Sequence, residues 1–421
     1  MSRREREGLF IDFSDFSARV KSDSSLSMRY NSVGRTDGNG NMRGPSGLLA
    51  LTGTAKLTRQ QDGVWRFQPH NIYVNSATPA NQSITVVSGA DYAVTITDSV
   101  SVTASGAATG TWTAGTTTFT AATATLTLGS TSGSGTVHVR RTPSDSRYVA
   151  TGASPKYGFP FEWDTNGVNQ GALIEIQATN LFLNSTTGAT QTITVSNATA
   201  YVVSFFGTGS ITFSGANSST LSGTGASDRV QTTFTTASTS LTCTVTGSIS
   251  YVQVELGTVA TSPIITYGAS ATRTGDLPNI ATSLIPYSNG CPMTMGVVVS
   301  PPNGTSLYPL TFPSGTLGLR RLNTNVPRLD NNIGGAGHVT YGSSATGTYS
   351  QVAASASGDQ ALCINGGAVS TNSWSYSHTG FTQLNIGALA VNSEAVRGYL
   401  KKAFWVPRKM SAAEIKSVSS L

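Results

Sequence analysis

One stretch of this chain is written twice. Residues 71–86 read NIYVNSATPANQSITV, and residues 180–195 read NLFLNSTTGATQTITV. The offset of 109 holds from Asn71/Asn180 to Ala107/Ala216, with sixteen identities in thirty-seven positions and no gap. After Gly106/Gly215 the second copy gains six residues within ANSSTLSGTGASD, and an offset of 115 then runs from Leu126/Leu241 to Val139/Val254. A unit that recurs, and absorbs a length change only between its periodic segments, is a self-contained module.

Inside each copy, apolar side chains fall on every second position. The first reads SITVVSG, YAVTIT, SVSVTASG, TATLTLGS and GTVHVRR; the second reads QTITVSN, AYVVSFFG, SITFSG, TSLTCTVTG and SYVQVELG. Period two describes a strand with one buried face and one wet face. The wet positions are mostly Thr and Ser. Charged residues are only 11% of the 421, far below the roughly 25% of an ordinary globular domain, and β-branched Thr favours strands. The expected fold class is all-β: two tandem jelly-roll-like β-sandwiches of about 100 residues each.

The flanks differ. Residues 1–60 hold one apolar strand candidate in GLFIDFSDFSARV and dense turn signals in VGRTDGNGNMRGPSG, as suits a docking or oligomerisation segment. From about 280, Pro becomes frequent, and MTMGVVVSPP, ALCING, TQLNIGAL and GYLKKAFWV read as strands of a different sandwich. Ser411 followed by Glu414 forms a capping box that starts a short C-terminal helix, with Ile415 and Val418 on one face. The expected segments are 1–60, 61–160 (repeat 1), 161–279 (repeat 2) and 280–421.

Several function classes are disfavoured. The net charge of +6 comes mainly from MSRRERE and LKKAFWVPRK at the two ends, while Ala178 to Ser227 carries no charge. There is no basic stripe interleaved with aromatics, so nucleic acid is not an expected partner. Cys243, Cys291 and Cys363 have no CxxC spacing and read as apolar fillers in a reduced compartment. No apolar run reaches the roughly 20 residues needed to span a bilayer, and the charged N-terminus lacks a signal-peptide core. The expectation is synthesis in the cytoplasm without membrane insertion.

Catalytic signals are thin. His70, His138, His338 and His378 lie near no GxSxG or HExxH motif. Acids are scarce, leaving Asp330, Asp359 and Glu394 as the candidates for a hydrolytic carboxylate pair. DNNIGGAG is read either as an ordinary turn, the favoured reading, or as a calcium loop. No enzyme activity, metal or cofactor is expected. Glycan binding is the stronger idea, because sugars are held by an aromatic face with convergent polar groups. SWSYSH places Trp374, Tyr376 and His378 on one side of a strand. That side is a sugar platform if it faces solvent and core if it faces inward; Trp65 and Trp112 share the ambiguity, and Trp405 reads as core. The uncharged strands also lack the Lys and Glu that protect sheet edges. A homo-oligomer, most simply a trimer, would cover them.

GALIEIQATNLFLNS at 171–185, VQVELGTVATSPIITYGASATRTGD at 252–276 and GYLKKAFWVPRKMSAAEI at 398–415 resemble a recurrent block in virion proteins of tailed bacteriophages. The resemblance covers roughly 160–421; the first repeat joins it through the duplication, and the leader only at LFIDF. It implies a carbohydrate-binding-module-like jelly roll followed by a concanavalin/laminin-G-like sandwich with a closing strand and helix. It also implies a surface fibre or spike on head or tail, made of this chain with other virion proteins and contacting host-surface glycans. A capsid decoration or cement protein is the alternative, and a polysaccharide depolymerase is the less favoured third.

Overall fold

The computed structural model describes residues 8–14, 17–21, 27–31, 39–42, 50–52, 54–312, 317–331, 338–341, 344–373, 379–390 and 394–420. Among the described residues the chain is all-β apart from a 3-10 turn at Thr282–Leu284 and one helix, Ala412–Ser419. It forms two compact units that interleave in sequence: one comprises Met1–Gly53, Tyr157–Ile176 and Gly275–Leu421, the other Thr54–Lys156 and Gln177–Thr274.

The duplicated unit contains two sandwiches of matching topology. In the first, a four-stranded sheet orders Gly110–Trp112, Ser101–Gly106, Thr125–Ser132 and Gln82–Thr85, and a three-stranded sheet orders Gly115–Thr120, Asp91–Ile96 and Val137–Arg141. In the second the orders are Thr220–Ser222, Ser210–Gly215, Ser240–Thr246, Gln191–Thr194, and Gly225–Thr235, Ala200–Gly207, Ile249–Leu256. The chain changes sheet at nearly every connection, as a jelly roll does. Register is duplicated too: Ala104 pairs Leu128 as Phe213 pairs Cys243, and Val94 pairs Val139 as Val203 pairs Val254. Gly106 and Gly215 sit at φ +84° and +83°, where a Cβ would collide with the carbonyls of Thr125 and Ser240. Only glycine tolerates that turn without strain, so both copies keep it.

The two cores show how one architecture accepts two packings. Ile84/Ile193, Val94/Val203, Leu126/Leu241 and Val139/Val254 are buried at equivalent places. Cys243 occupies the place of Leu128, a buried free thiol that burial pushes up to about 12. Trp112 stacks on Phe119 in the first copy at 5.7 Å, whereas in the second Phe213 meets Phe234 at 5.4 Å. The aromatic has moved from one strand to its neighbour: Ala104 and Trp112 become Phe213 and Leu221.

The other unit packs a ten-stranded sheet against a seven-stranded one. Its centre is Gly398–Val406, which pairs Met293–Ser300 on one side and both Gly8–Asp12 and Asn169–Ile174 on the other. Trp405 is fully buried there, its indole N–H directed at Met293 Sδ at 3.5 Å. The helix lies on the outer face of the large sheet, with Ile415 buried beside Val352, Cys363 and Met410.

The compact units are therefore not the four consecutive segments expected from sequence texture. Leu9, Ile11 and Phe13 of the leader are buried in the C-terminal core, and Ala50–Thr52 pairs Leu277–Ala281. Both sandwiches are insertions into this unit, which the chain leaves and re-enters twice. At the second crossing the Glu175 amide donates to the Asp276 carboxylate at 2.8 Å, and the Asp276 amide donates back to the Glu175 carbonyl at 2.9 Å. Both residues belong to the stretches that carry the phage resemblance. Their first role is to clasp the two ends of an insertion.

Candidate functional site

Trp374, Tyr376 and His378 lie outside the described residues, as does most of DNNIGGAG. The strand that precedes the aromatic motif, Ser370–Asn372, ends the path of the ten-stranded sheet. The other tryptophans are settled by packing. Trp405 and Trp112 are core, and Trp65 packs edge-on against Phe206 at 5.0 Å.

The candidate acids are engaged in ion pairs and hydrogen bonds. Asp330 is 5% exposed and accepts from Tyr308 Oη at 2.6 Å, Arg320 Nη1 at 3.2 Å and Arg328 Nη2 at 2.9 Å. Glu394 is tied to the same Arg320 at 2.5 Å. Asp330 thus stands between two guanidinium groups, and Arg320 links it to Glu394. Burial and the neighbouring Asp330 push the Tyr308 hydroxyl above its usual range, so it remains a donor. Asp359 is exposed and paired with Lys409 at 2.8 Å, apart from that network. This chemistry is that of a structural ion network bracing adjacent strands.

The outer face of each four-stranded sheet carries paired hydroxyl groups. In the second sandwich Thr192 pairs with Thr242 at 2.9 Å, Ser210 with Thr246 at 2.9 Å and Thr212 with Thr220 at 3.2 Å. The first sandwich repeats the device with Ser83 and Thr127 at 3.0 Å. Cross-strand hydroxyl pairs satisfy each other and stiffen the ladder. The result is an uncharged surface of hydroxyl and methyl groups, able to hydrogen-bond neutral partners without ion pairing.

Beside it, the three-stranded sheet ends on Gly115–Thr120, whose sequence GTTTFT contains neither charge nor Pro. An unguarded edge of this kind is a template for strand pairing.

Within the three-stranded sheets, Ala200–Gly207 and Val137–Arg141 depart from the expected wet face. Every residue from Tyr201 to Gly207 is buried, because the outer face is covered as well as the inner one. In the second copy the covering segment donates Ile264 N–H to Gln253 Oε1 at 2.7 Å and Thr261 N–H to Glu255 Oε2 at 3.0 Å. In the first copy the outer face presents His138 and Arg140, next to His70. The near-continuous apolar run AYVVSFFG was the available signal for burial on both sides. Histidine's own motif context gave none.

One buried side chain organises each module. Asn71 Nδ2 donates to the carbonyls of Val137 and Val149, and its Oδ1 accepts from Tyr73 and Val139. Asn180 repeats all four bonds with Val252, Ile264, Phe182 and Val254. The first residue of the duplicated sentence is thus the pin that holds the covering segment.

Among the described residues, no three His, Cys, Asp or Glu side chains converge as metal ligands would, and no helix is long and apolar enough to cross a membrane.

No family model and no curated protein matches the chain. Among solved structures it is similar to the native heptameric SAP-like pentraxin from Limulus polyphemus, with 10% identity over 31% of this chain and 71% of that one and a TM-score of 0.25. It is also similar to domains LG4-5 of the mouse laminin alpha1 chain, with 10% identity over 56% of this chain and 91% of that one and a TM-score of 0.22. The fold assignment rests on the chain's own strand pairing.

Proposed function

We propose that this chain is a non-catalytic structural protein of a tailed-bacteriophage particle, a component of a surface fibre or spike that works as a homo-oligomer. The observation that carries the reading is the tandem pair of sandwiches with uncharged hydroxyl faces and an unguarded edge strand. A soluble monomer defends such edges with Lys, Pro or bulges; an assembled one covers them with a neighbour. The clasp residues Glu175 and Asp276 add support, since they fall within the phage-like stretches. In this reading the tandem sandwiches extend the particle's surface and contact other virion proteins. Trp374, Tyr376 and His378 form the proposed contact with host-surface glycans.

The test is placement and copy number in a cryo-EM map of the particle, together with adsorption of particles lacking the chain. Few copies on an appendage, with adsorption lost and capsids intact, support the fibre. Many copies across the shell, with capsids weakened by deletion, would replace it with a decoration protein. Release of reducing sugar from host polysaccharide would replace it with a depolymerase.

A point substitution probes assembly directly. Thr118 is exposed on the edge strand, so Thr118→Lys should change fold stability by less than about 0.5 kcal/mol. It should nevertheless lower the oligomer mass measured by light scattering. An unchanged mass would show that this edge is not where the copies meet.

A further inference from the structure

The two sandwiches differ most, in chemical terms, on the covered outer face of the three-stranded sheet. At equivalent positions the first carries His70, His138 and Arg140, where the second carries Thr179, Gln253 and Glu255. We infer that acidification opens the first sandwich while the second stays folded, so that the duplicated pair has one acid-labile and one acid-resistant half.

The geometry fixes both imidazoles as neutral. His70 Nδ1 faces the Gln68 carbonyl at 2.7 Å and therefore carries the proton, while its Nε2 accepts the Arg141 amide at 2.9 Å. His138 Nε2 donates to the His70 carbonyl at 2.8 Å, leaving Nδ1 as the acceptor toward Arg140 Nη1 at 3.5 Å. A second proton on either ring must break an existing bond and place an imidazolium beside a guanidinium. Both rings are 1% exposed.

The surrounding charges add to this. Arg140 is held by Thr95 at 2.8 Å, and Arg141 lies over the Phe67 ring at 4.8 Å. Lys56 is buried on the preceding hairpin. The Tyr148 ring meets His138 edge-on at 5.9 Å. The carboxylate acting on His138 is Asp145, and Arg147 holds it at 2.5 Å. Burial is the chief cause that depresses His70 to about 3 and His138 to about 4.

The sign follows from linkage. A histidine depressed in the fold contributes stability that is complete above its unfolded value of 6.5 and is lost as pH falls toward 4 and 3. The second sandwich responds the other way. Glu255 is 1% exposed and is raised by burial, with Thr261, Gln253 and Arg229 opposing the shift. A raised carboxyl costs stability as pH rises above its ordinary value, so acid relieves the second copy while it loads the first.

Hydrogen exchange on the full chain tests the inference, with rates corrected for the intrinsic effect of pH. Between pH 7 and pH 5, amides of Asp91–Ile96 and Val137–Arg141 should lose protection by roughly twenty-fold for each histidine. The matching amides of Ala200–Gly207 and Ile249–Leu256 should keep theirs. His138→Gln, which installs the second copy's residue, should restore about twenty-fold at pH 5. Equal loss in both sandwiches, or earlier loss in the second, would overturn the inference. So would a His138→Gln chain, folded at pH 7, that opens at the unaltered pH. The comparison of the two sandwiches in the unmodified chain decides the matter even where the variant does not fold.

Discussion

Ala104 and Trp112 fill the space that Phe213 and Leu221 fill in the other copy. Val102 lies opposite Trp112, so Ala104 is its diagonal neighbour, within reach of a large side chain. Ala104→Phe alone should overpack the first core and cost about 1–3 kcal/mol. Trp112→Leu alone should leave a cavity and cost a similar amount. The double substitution should recover most of the sum, giving a coupling of about 1–3 kcal/mol in a denaturation cycle. Additive losses would mean that the copies tolerate their residues independently. Asn71 and Asn180 show the opposite behaviour: four bonds from one buried amide leave no room for exchange, and the residue is the same in both.

At the scale of the element, the C-terminal helix was legible in full. Ser411 Oγ accepts the Glu414 amide at 3.3 Å, and Glu414 Oε2 accepts the Ser411 amide at 2.7 Å. Arg408 binds the same carboxylate at 2.9 and 3.2 Å and, with the Ser411 amide, holds it down to about 2. Ser411→Ala should cost about 1 kcal/mol, read as faster hydrogen exchange in Ala412–Ser419. The carboxylate's contribution is present above 4.5 and is lost as pH falls toward 2, in the variant as in the natural chain, because Arg408 and the Ser411 amide remain. The strands were legible in their period but not in their second face. His138 and Glu255 stand at outward positions, and alternation alone reads an outward residue as wet. A covering segment contributed from elsewhere in the chain makes it buried.

For the molecule as a whole, the tandem sandwiches are bridged by the hairpin Leu57–Arg59/Trp65–Phe67. Leu57 and Phe67 are buried with Ile265, and Tyr251 and Tyr267 pack around them. Trp65→Ala should remove about 3 kcal/mol, read as a lower denaturation midpoint for this unit. An unchanged midpoint would mean that the Trp65 contact with Phe206 adds nothing to stability.

The chain's own text determined the duplication, the strand period, the six-residue loop insertion and the capped helix. Each of these is local: a repeat, an alternation or a box of four residues states its geometry within its own span. Only the tertiary structure decided that the leader closes the C-terminal sandwich, that both repeats are insertions, and that outward positions such as His138 and Glu255 are dry. Strand pairing is indifferent to separation along the chain. A backbone amide finds its carbonyl across hundreds of residues as readily as across a turn, and no short window of sequence records which one it found.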